Sequence, residues 1–523
     1  MIKIRKSVLG IFASITSMAL TSCGSTKEVV FWSSFGEKYS KILDGIVADI
    51  AAESQIEIKH HSSGSYPGVL KEMVAAIPTR KYPSLAVGYP DHFAQYHGSS
   101  ILKPLDKLIS KDVLADYDED YMLENYLYDT NGKPHLYGVP FNKSTELLGY
   151  NGVFVDYCAW KYSDPDLKNL PKTWDEWACA DNPATKSGKY QEAFRDLVDN
   201  KRTLYALQDE DGTAHDFEVF TGVHDAPAGK TKCLDYSDLG EDGGALTVLM
   251  SWDSTDNGFI TLLRQWDSQY TKLPEEERQY HPKERQGKIM FATPENLPKT
   301  IEMLKYFNRM HSKKIFGTPD DVKGGNFSSE AYATGRTMFM ICSSGGLSYN
   351  TDHWEKRFRL APIPYKDEQH KFVISQGANI CLTKNGNAQK SAKVLEALTS
   401  GKFQTQWAME TGYFPASKRA ADDTYKAFIN GTDYRDPTVV SYRDGARVNE
   451  NEYKNGTWTR FVDDAFIGSA VIRTVCNDIL GNAFLISDIE NDAAYKRVLR
   501  RALEDTQISS NMNIMDPFED TGL

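Results

Sequence analysis

Residues 27–63 read KEVVFWSSFGEKYSKILDGIVADIAAESQIEIKHHSS and set out a strand, a helix and a second strand. Val29-Val30-Phe31-Trp32 is a short apolar run typical of a buried strand, and Ile56-Glu57-Ile58 alternates as a half-buried strand does. Between these two runs, apolar residues recur at helical spacing: Ile42, Leu43, Ile46 and Ile50. This order predicts two parallel strands joined by a crossover helix, which is the repeating unit of α/β folds.

The same alternation continues along the chain. The pattern predicts a helix over 67–77, a strand over 84–88 and another helix from His92. Further apolar periodicity predicts later helices over 298–312, 389–399, 403–411 and 492–506. We therefore expect an α/β protein with doubly wound sheets, in which ligands bind beyond the carboxyl ends of the strands.

The N-terminus has the pattern of an export signal. Basic residues come first, and Ser7 to Leu20 is an apolar run too short to span a bilayer. The following Leu20-Thr21-Ser22-Cys23 resembles the bacterial lipobox, in which the cysteine is acylated and becomes the mature N-terminus. The alternative is an ordinary signal peptide in which Cys23 is incidental. The resemblance implies that residues 1–22 are removed and that the protein is lipid-anchored at the cell membrane through Cys23, facing outside the cytoplasm.

Length and charge restrict the class of protein further. The chain has 523 residues, enough for two or three domains or two large lobes, and a formal net charge of -12. Lys and Arg are dispersed and form no basic stripe, so nucleic acid is not an expected partner. After the N-terminal segment, the sequence contains no second run of eighteen apolar residues that predicts a membrane span.

The cysteines give no metal signature. Besides Cys23, six are scattered along the chain, without a CxxC pair or a histidine at zinc-finger spacing: Cys158, Cys179, Cys233, Cys342, Cys381 and Cys476. We expect no metal and no cofactor. Outside the cytoplasm these cysteines are compatible either with disulfides or with buried free thiols, and the sequence leaves both open.

A polar stretch interrupts the α/β pattern at about 181–245 and is interpreted as an insertion. It carries the turn signals Asp211-Gly212 and Glu241-Asp242-Gly243-Gly244. Asp209-Glu210-Asp211-Gly212 resembles the start of a calcium loop, but the rest of such a loop is missing. A polar hairpin turn is the preferred interpretation.

Several segments, taken in order, resemble the family 1 extracellular solute-binding proteins, which include the maltose and glycerol-3-phosphate binding proteins of ABC importers. They are Ser65-Tyr66-Pro67-Gly68, Pro83-Ser84-Leu85-Ala86-Val87, Leu102-Lys103-Pro104-Leu105-Asp106, Tyr137-Gly138-Val139-Pro140-Phe141-Asn142, Pro171-Lys172-Thr173-Trp174-Asp175-Glu176-Trp177, Ser343-Ser344-Gly345-Gly346-Leu347, Gln376-Gly377-Ala378 and Thr411-Gly412-Tyr413-Phe414-Pro415. The resemblance implies the two-lobed fold of type II periplasmic binding proteins. Each lobe is expected to be a doubly wound sheet with flanking helices, and the ligand lies in the cleft between the lobes.

The resemblance also implies lobe boundaries. Lobe one is expected to comprise residues 23–143 and 350–400. Lobe two is expected to comprise residues 144–349 and 401–523, with the polar insertion inside it. Closure around the ligand would be a hinge motion.

The same resemblance carries over candidate ligand-binding residues. Tyr66 and Ser144 match a tyrosine and a serine of the glycerol-3-phosphate binding protein, and both can donate to a hydroxyl or phosphate oxygen. Three more positions match further ligand contacts: Ser343, Gly377 and Tyr413. Gly377 would offer its backbone amide. Trp252 lies roughly where the family supplies a ring, on which the C–H face of a sugar packs.

Each of these positions has a structural alternative. Tyr66 could serve only the start of a helix, and Ser343 could serve only a turn. Trp252 could be a core residue, as tryptophans often are. Trp174 and Trp177 flank a helix start and are expected to pack in the core.

Two departures from the family pattern change the expected ligand. The acidic ligand contact is replaced by Tyr89-Pro90-Asp91, which makes Asp91 a shifted candidate. The phosphate-gripping arginine near the C-terminus has no residue in register, and Arg473 lies beyond its expected place. A neutral saccharide is therefore the preferred ligand, ahead of a glycerol phosphate.

The function that these features predict is that of a substrate-binding lipoprotein of an ABC importer. It would capture a carbohydrate-like or polyol solute by lobe closure and deliver it, as a monomer, to a membrane permease. The alternatives are a glycerol-3-phosphate or glycerophosphodiester binding protein, a ligand-sensing surface lipoprotein, and an exported glycoside hydrolase. The chain has no Gly-x-Ser-x-Gly, His-Glu-x-x-His or phosphate-loop motif, so an enzyme is not expected.

Overall fold

The computed structural model describes residues 28–222, 224–237, 239, 246–323, 327–351, 357–421, 423–510, 514–516, 518 and 523. The predicted export signal and the predicted lipidation site at Cys23 lie outside the described residues. Within the described part of the chain, no helix is both long and apolar enough to traverse a membrane.

The described residues form the following strands: β1 (Glu28–Ser33), β2 (Glu57–Ser62), β3 (Leu85–Gly88), β4 (Tyr126–Tyr128), β5 (Pro134–Leu136), β6 (Gly138–Asn151), β7 (Arg202–Gln208), β8 (Ala214–Thr221), β9 (Thr231–Asp235), β10 (Met250–Trp252), β11 (Thr271–Lys272), β12 (Lys288–Ile289), β13 (Phe316–Gly317), β14 (Phe339–Ser343), β15 (Phe358–Ala361), β16 (Phe372–Leu382), β17 (Phe414–Pro415) and β18 (Thr459–Phe461).

The helices are α1 (Glu37–Ser54), α2 (Tyr66–Ala76), α3 (Pro90–Gly98), α4 (Lys111–Asp116), α5 (Glu119–Met122), α6 (Gly152–Lys161), α7 (Trp174–Ala178), α8 (Lys186–Asp199), α9 (Thr255–Gln265), α10 (Leu297–Ser312), α11 (Pro319–Val322), α12 (Ser329–Ala333), α13 (Ala388–Leu398), α14 (Gly401–Thr411), α15 (Asp423–Ile429), α16 (Pro437–Val448), α17 (Ser469–Cys476), α18 (Ile479–Phe484) and α19 (Asp492–Ser510).

The predicted strand-helix-strand unit at the start of the chain is confirmed. β1 and β2 pair in parallel, with Val29 opposite Ile58, and α1 crosses over between them. β3 pairs in parallel with β1 on its other side. The helices expected from apolar periodicity are also present, and their ends differ from the predicted ends by at most four residues.

One large sheet connects the two halves of the molecule. Its strand order is β13-β10-β14-β6-β16-β3-β1-β2, with β15 and β17 pairing to β6 and β18 pairing to β16. The first part of β6 pairs with β16, and its last part pairs with β14 and β15. β6 therefore runs continuously from one half of the molecule into the other.

Two large cores lie on either side of this connection. The smaller one draws on residues between 29 and 141 and between 378 and 407, and the larger one on residues between 147 and 374 and between 414 and 503. This is the two-lobed arrangement expected from the sequence. The lobe boundaries themselves stay a prediction, and two segments pack otherwise than predicted. Phe358 and Ile374 lie in the larger core, whereas Phe403 and Trp407 lie in the smaller one.

The polar insertion has secondary structure of its own. α8 is followed by a small antiparallel sheet of order β8-β7-β9. β7 and β8 are joined at Asp209–Thr213, where the Asp209 amide donates to the Thr213 carbonyl. The predicted polar hairpin turn is confirmed. The six cysteines of the described residues are free thiols, and all but Cys179 are buried.

Candidate functional site

A cavity of about 300 Å³ lies between the two cores, and we call it the first cavity. α3 and the residue before it face α9, α17 and the segment 462–465 across it, and β16 forms its floor. Its lining comprises Tyr89, Pro90, Asp91, Glu124, Ser254, Asp256, Asn257, Tyr270, Thr271, Ile374, Ser375, Gln376, Gly377, Val462, Asp463, Asp464, Ala465, Ser469 and Arg473. Residues with hydroxyl, amide and carboxylate groups outnumber the apolar ones, so the cavity offers a ligand many hydrogen-bonding side chains.

Three of the residues predicted from the sequence line this cavity together. Asp91 lies in the first turn of α3, Gly377 lies in β16, and Arg473 lies in α17. They come from both halves of the molecule and meet only in the folded chain. Arg473 thus lies in the cleft although its place in the sequence departs from the family pattern.

Arg473 is already paired within the protein. Its Nε donates to Asp256 Oδ2 at 3.0 Å, and its Nη2 donates to Asn257 Oδ1 at 2.5 Å. Burial lowers the pKa of Arg473, but Asp256 and the other acidic groups around it outweigh that effect and raise the pKa above its usual value. The guanidinium stays charged, and 36% of the side chain remains exposed.

Tyr66 and Tyr413 adjoin the cavity without lining it. The ring of Tyr66 lies 4.3 Å from that of Tyr89, which does line the cavity, and its hydroxyl accepts from Asn142 Nδ2 at 2.9 Å. The ring of Tyr413 stacks on Trp407 at 6.1 Å. Burial raises the pKa of Tyr66, Tyr89 and Tyr413, so all three phenols are neutral at physiological pH.

Two predicted serines lie behind this surface. Ser144 is buried in β6, opposite Gln376 of β16. Ser343 ends β14, and its Oγ accepts from the Gly345 amide at 3.2 Å. This bond gives Ser343 the role in a turn that the sequence allowed as an alternative. Neither serine lines the first cavity.

The predicted contact of Trp252 with a ligand is not supported by its placement. Its side chain is fully buried in the larger core, where its ring stacks on Trp174 at 6.1 Å. Its Nε1 donates to Glu146 Oε1 at 2.8 Å. Trp252 therefore packs as a core residue, which is the alternative that the sequence allowed, and the expected core positions of Trp174 and Trp177 are confirmed.

Gly377 is required by the backbone around it. Its φ of +92° favours glycine, and a Cβ at this position would overlap the Asn142 carbonyl oxygen of β6. Lys143 Nζ also donates to the Gly377 carbonyl at 3.1 Å. The close approach of β6 and β16 thus accounts for this glycine, in addition to its position in the cavity.

Several acidic lining residues were not predicted as ligand-binding residues from the sequence. Glu124 is held by the buried Lys143 at 2.5 Å and by Asn379 Nδ2 at 2.7 Å. Asp463 lies 3.7 Å from Arg264, and burial raises the pKa of Asp463 to about 6. No short motif surrounds either residue, and only the fold brings them to the cavity.

Some buried polar atoms of the lining have no hydrogen-bond partner in the described part of the protein. They are Thr271 Oγ1, Ser375 Oγ, Gln376 Nε2 and Asp463 Oδ1. An unsatisfied buried donor or acceptor costs about 1 to 3 kcal/mol. All four residues line the first cavity, so a polar ligand there lies among hydroxyl, amide and carboxylate side chains that the protein leaves partly unsatisfied.

Comparison with known proteins gives the family. The model of the bacterial extracellular solute-binding protein family matches residues 45–430, which is most of the chain. The chain belongs to this family.

Among its relatives is the sn-glycerol-3-phosphate-binding periplasmic protein UgpB of Escherichia coli strain K12. The two are 23% identical over 425 residues, which cover 79% of this chain and 80% of the relative. UgpB of Shigella flexneri serotype 5b matches to the same extent.

Solved structures share the fold. UgpB from Mycobacterium tuberculosis in complex with glycerophosphocholine superimposes with a TM-score of 0.60 at 16% identity, over 93% of this chain and 99% of that one. The GacH receptor of Streptomyces glaucescens, described unliganded and with acarbose, gives a TM-score of 0.59 at 13% identity, over 91% and 98%. The fold is the two-lobed type II fold of periplasmic binding proteins, as predicted.

Proposed function

We propose that the first cavity captures a neutral, carbohydrate-like solute, and that the protein delivers this solute to an ABC permease without breaking a bond in it. The observation that carries this proposal is the lining of the cavity by hydroxyl, amide and carboxylate side chains, among them Thr271, Ser375, Gln376 and Asp463. Hydroxyl groups both donate and accept, so a polyhydroxyl ligand can satisfy this mixed set.

The charges around the cavity favour a neutral ligand over a phosphate. Carboxylates outnumber cations in the lining: Asp91, Glu124, Asp256, Asp463 and Asp464 face Arg473. Arg473 is itself bonded to Asp256. A phosphate would have to displace this pairing and approach several carboxylates, and like charges at short range in a buried site repel strongly.

A glycerol-3-phosphate or glycerophosphodiester ligand is the second candidate. Arg473 favours it, because its guanidinium lies in the cavity with part of the side chain exposed. The relatives named UgpB, and the one solved with glycerophosphocholine, also point to such ligands.

A thermal-shift screen of the chain from Gly24 onward tests the ligand class. The panel contains mono-, di- and oligosaccharides, polyols, glycerol 3-phosphate and glycerophosphodiesters. A ligand that binds only the folded state stabilises it by about 2.7 kcal/mol at a hundredfold excess over its dissociation constant. We expect stabilisation by a neutral saccharide. Stabilisation by phosphorylated compounds alone would establish the second candidate, and recovery of an altered compound after incubation would contradict the non-enzymatic role.

We also propose that the protein is a monomer held at the outer face of a cell membrane by lipid on Cys23. The sequence Leu20-Thr21-Ser22-Cys23 supports the anchor. Labelling cells with a radioactive fatty acid should mark the wild-type protein at the membrane. The Cys23→Ser variant should carry no label and should leave the membrane fraction, and a labelled Cys23→Ser protein would contradict the proposal.

A further inference from the structure

A second cavity of about 280 Å³ adjoins the first. The two share five lining residues: Glu124, Val462, Asp463, Asp464 and Ala465. They are therefore neighbouring compartments of one cleft, which meet at Glu124 and at the segment 462–465.

The lining of the second cavity differs in chemistry from that of the first. Apart from the shared acidic residues, it is mainly apolar or aromatic and includes Leu123, Tyr126, Leu127, Leu273, Phe466 and Ile467. Leu123 is 69% exposed and Tyr126 is 41% exposed. Large apolar side chains exposed beside a binding cavity commonly mark a surface that an apolar group covers.

Two polar side chains that line only the second cavity, Arg285 and His97, are engaged by the protein itself. Arg285 is buried, and its Nη2 donates to the carbonyls of Asp129 at 2.6 Å and of Arg278 at 2.8 Å. His97 Nε2 lies 2.9 Å from the Tyr128 carbonyl oxygen. A ligand group that enters here therefore meets apolar surface more than available hydrogen-bonding groups.

Both halves of the molecule enclose the second cavity. Leu123 and Leu127 belong to the chain around α5 and β4, whereas Phe466 and Ile467 belong to the segment before α17. Ile467 packs against Gly98 at the end of α3, where a Cβ would lie 2.7 Å from Ile467 Cδ1. The second cavity thus spans the cleft between the same two halves of the molecule as the first cavity.

We propose that the second cavity binds an apolar or aromatic substituent of the solute whose hydroxyl-rich part occupies the first cavity. The solute would then be a glycoside with an apolar aglycone, rather than a sugar alone. This inference rests on the proposed function, because it takes the first cavity as the sugar site. Its support is the lining that the two cavities share and the larger share of apolar and aromatic residues around the second one.

The test compares methyl and phenyl glycosides of the same sugar. Full-length protein, purified in a detergent without a sugar headgroup, is titrated with methyl and phenyl pairs of glucose, galactose, mannose and N-acetylglucosamine. Burying a phenyl ring in place of a methyl group should raise the affinity roughly tenfold for the sugar that the first cavity accepts. The variants Leu123→Ser and Tyr126→Ser should reduce this ratio, because both residues line the second cavity. Leu485→Ser is the matched control, since Leu485 is 81% exposed and lines neither cavity.

The outcomes separate this inference from the proposed function. Equal binding of the methyl and phenyl members would contradict the apolar subsite and leave the sugar site standing. A phenyl preference that survives both Leu123→Ser and Tyr126→Ser would also overturn the inference, because the ring would then lie elsewhere. Binding of neither member of any pair would contradict both the inference and the saccharide function.

Discussion

Ser375 allows the ligand site to be tested at a single atom. The residue lines the first cavity, and its Oγ is buried and has no hydrogen-bond partner in the described part of the protein. Ser375→Ala should therefore weaken solute binding roughly fivefold, the equivalent of about 1 kcal/mol for one hydrogen bond, and should not lower the free energy of unfolding, because the hydroxyl that it removes is unsatisfied in the protein. Isothermal titration and urea unfolding measure the two quantities.

Ser251 provides the control for that change. Its Oγ is also buried without a partner in the described residues, but it lies in β10 and does not line the first cavity. Ser251→Ala should leave the affinity as in the wild type. Equal weakening by the two variants would show that the loss of affinity is not local to the cavity.

Gly377 gives a second prediction at the residue scale, this time for stability. Ala at this position would take a positive φ and would meet the Asn142 carbonyl oxygen. Gly377→Ala should lower the free energy of unfolding by about 3 kcal/mol, because backbone strain and overpacking add. A Cβ at Gly346 meets nothing within 4 Å, so Gly346→Ala should change stability far less. Urea unfolding compares the two, and equal effects would contradict the steric argument.

At the scale of elements, the sequence predicts the helices, strands and turns that local patterns of residues determine. The strand-helix-strand start and the helices with an apolar stripe follow from periodicity, and the hairpin turn at Asp209–Thr213 follows from turn chemistry. Helix ends are less certain, because capping and fraying act over one or two residues. Gly412, with a φ of +79°, ends α14 as expected for a C-terminal glycine.

The candidate site is only partly predictable for a different reason. Asp91, Gly377 and Arg473 were found because they lie in or near segments that resemble a family. Glu124 and Asp463 belong to no motif, and long-range packing alone brings them to the same cavity. Trp252 is the opposite case. Its place in the sequence suggested a ligand contact, but its ring packs in the core.

Glu146 in β6 allows a prediction about how the stability of the protein depends on pH. Glu146 lies where β6 passes from its pairing with β16 to its pairing with β14. Burial raises the pKa of Glu146 from 4.5 to about 8, although the hydrogen bond from Trp252 lowers it. The folded state therefore binds this proton more tightly than the unfolded state does. The stabilisation that results from proton binding at Glu146 is fully present below pH 4.5 and is lost as the pH rises to about 8.

The Glu146→Gln variant should remove this pH dependence. Between pH 5 and 8, the wild type should lose stability relative to the variant by up to about 1.4 kcal/mol per pH unit. The quantity to compare is the slope of the free energy of unfolding against pH. The amide of the variant also changes stability, but by an amount that does not depend on pH. Urea unfolding at several pH values measures it, with Glu57→Gln on the exposed side of β2 as the control. Parallel profiles for wild type and Glu146→Gln would contradict a raised pKa.

At the scale of the whole molecule, the two cores are joined by strands that belong to both. β6 contributes Val139 and Phe141 to the smaller core and Leu147 and Leu148 to the larger one. β16 similarly contributes Ile380 to the smaller core and Ile374 to the larger one. In hinge closure, two such lobes turn as rigid bodies, and a few residues where they connect absorb the change in backbone angles.

The proposed site predicts closure on binding, because its residues come from both halves of the molecule. Asp91 belongs to the half around the smaller core, whereas Thr271, Asp463 and Arg473 belong to the half around the larger one. A solute that touches both sets binds the closed state more tightly than the open state, so it shifts the population towards closure. The radius of gyration from small-angle X-ray scattering should therefore fall at saturation with any compound that stabilises the protein in the thermal screen. A panel compound without that effect should leave the radius unchanged. An identical radius with and without a saturating ligand would contradict closure on binding.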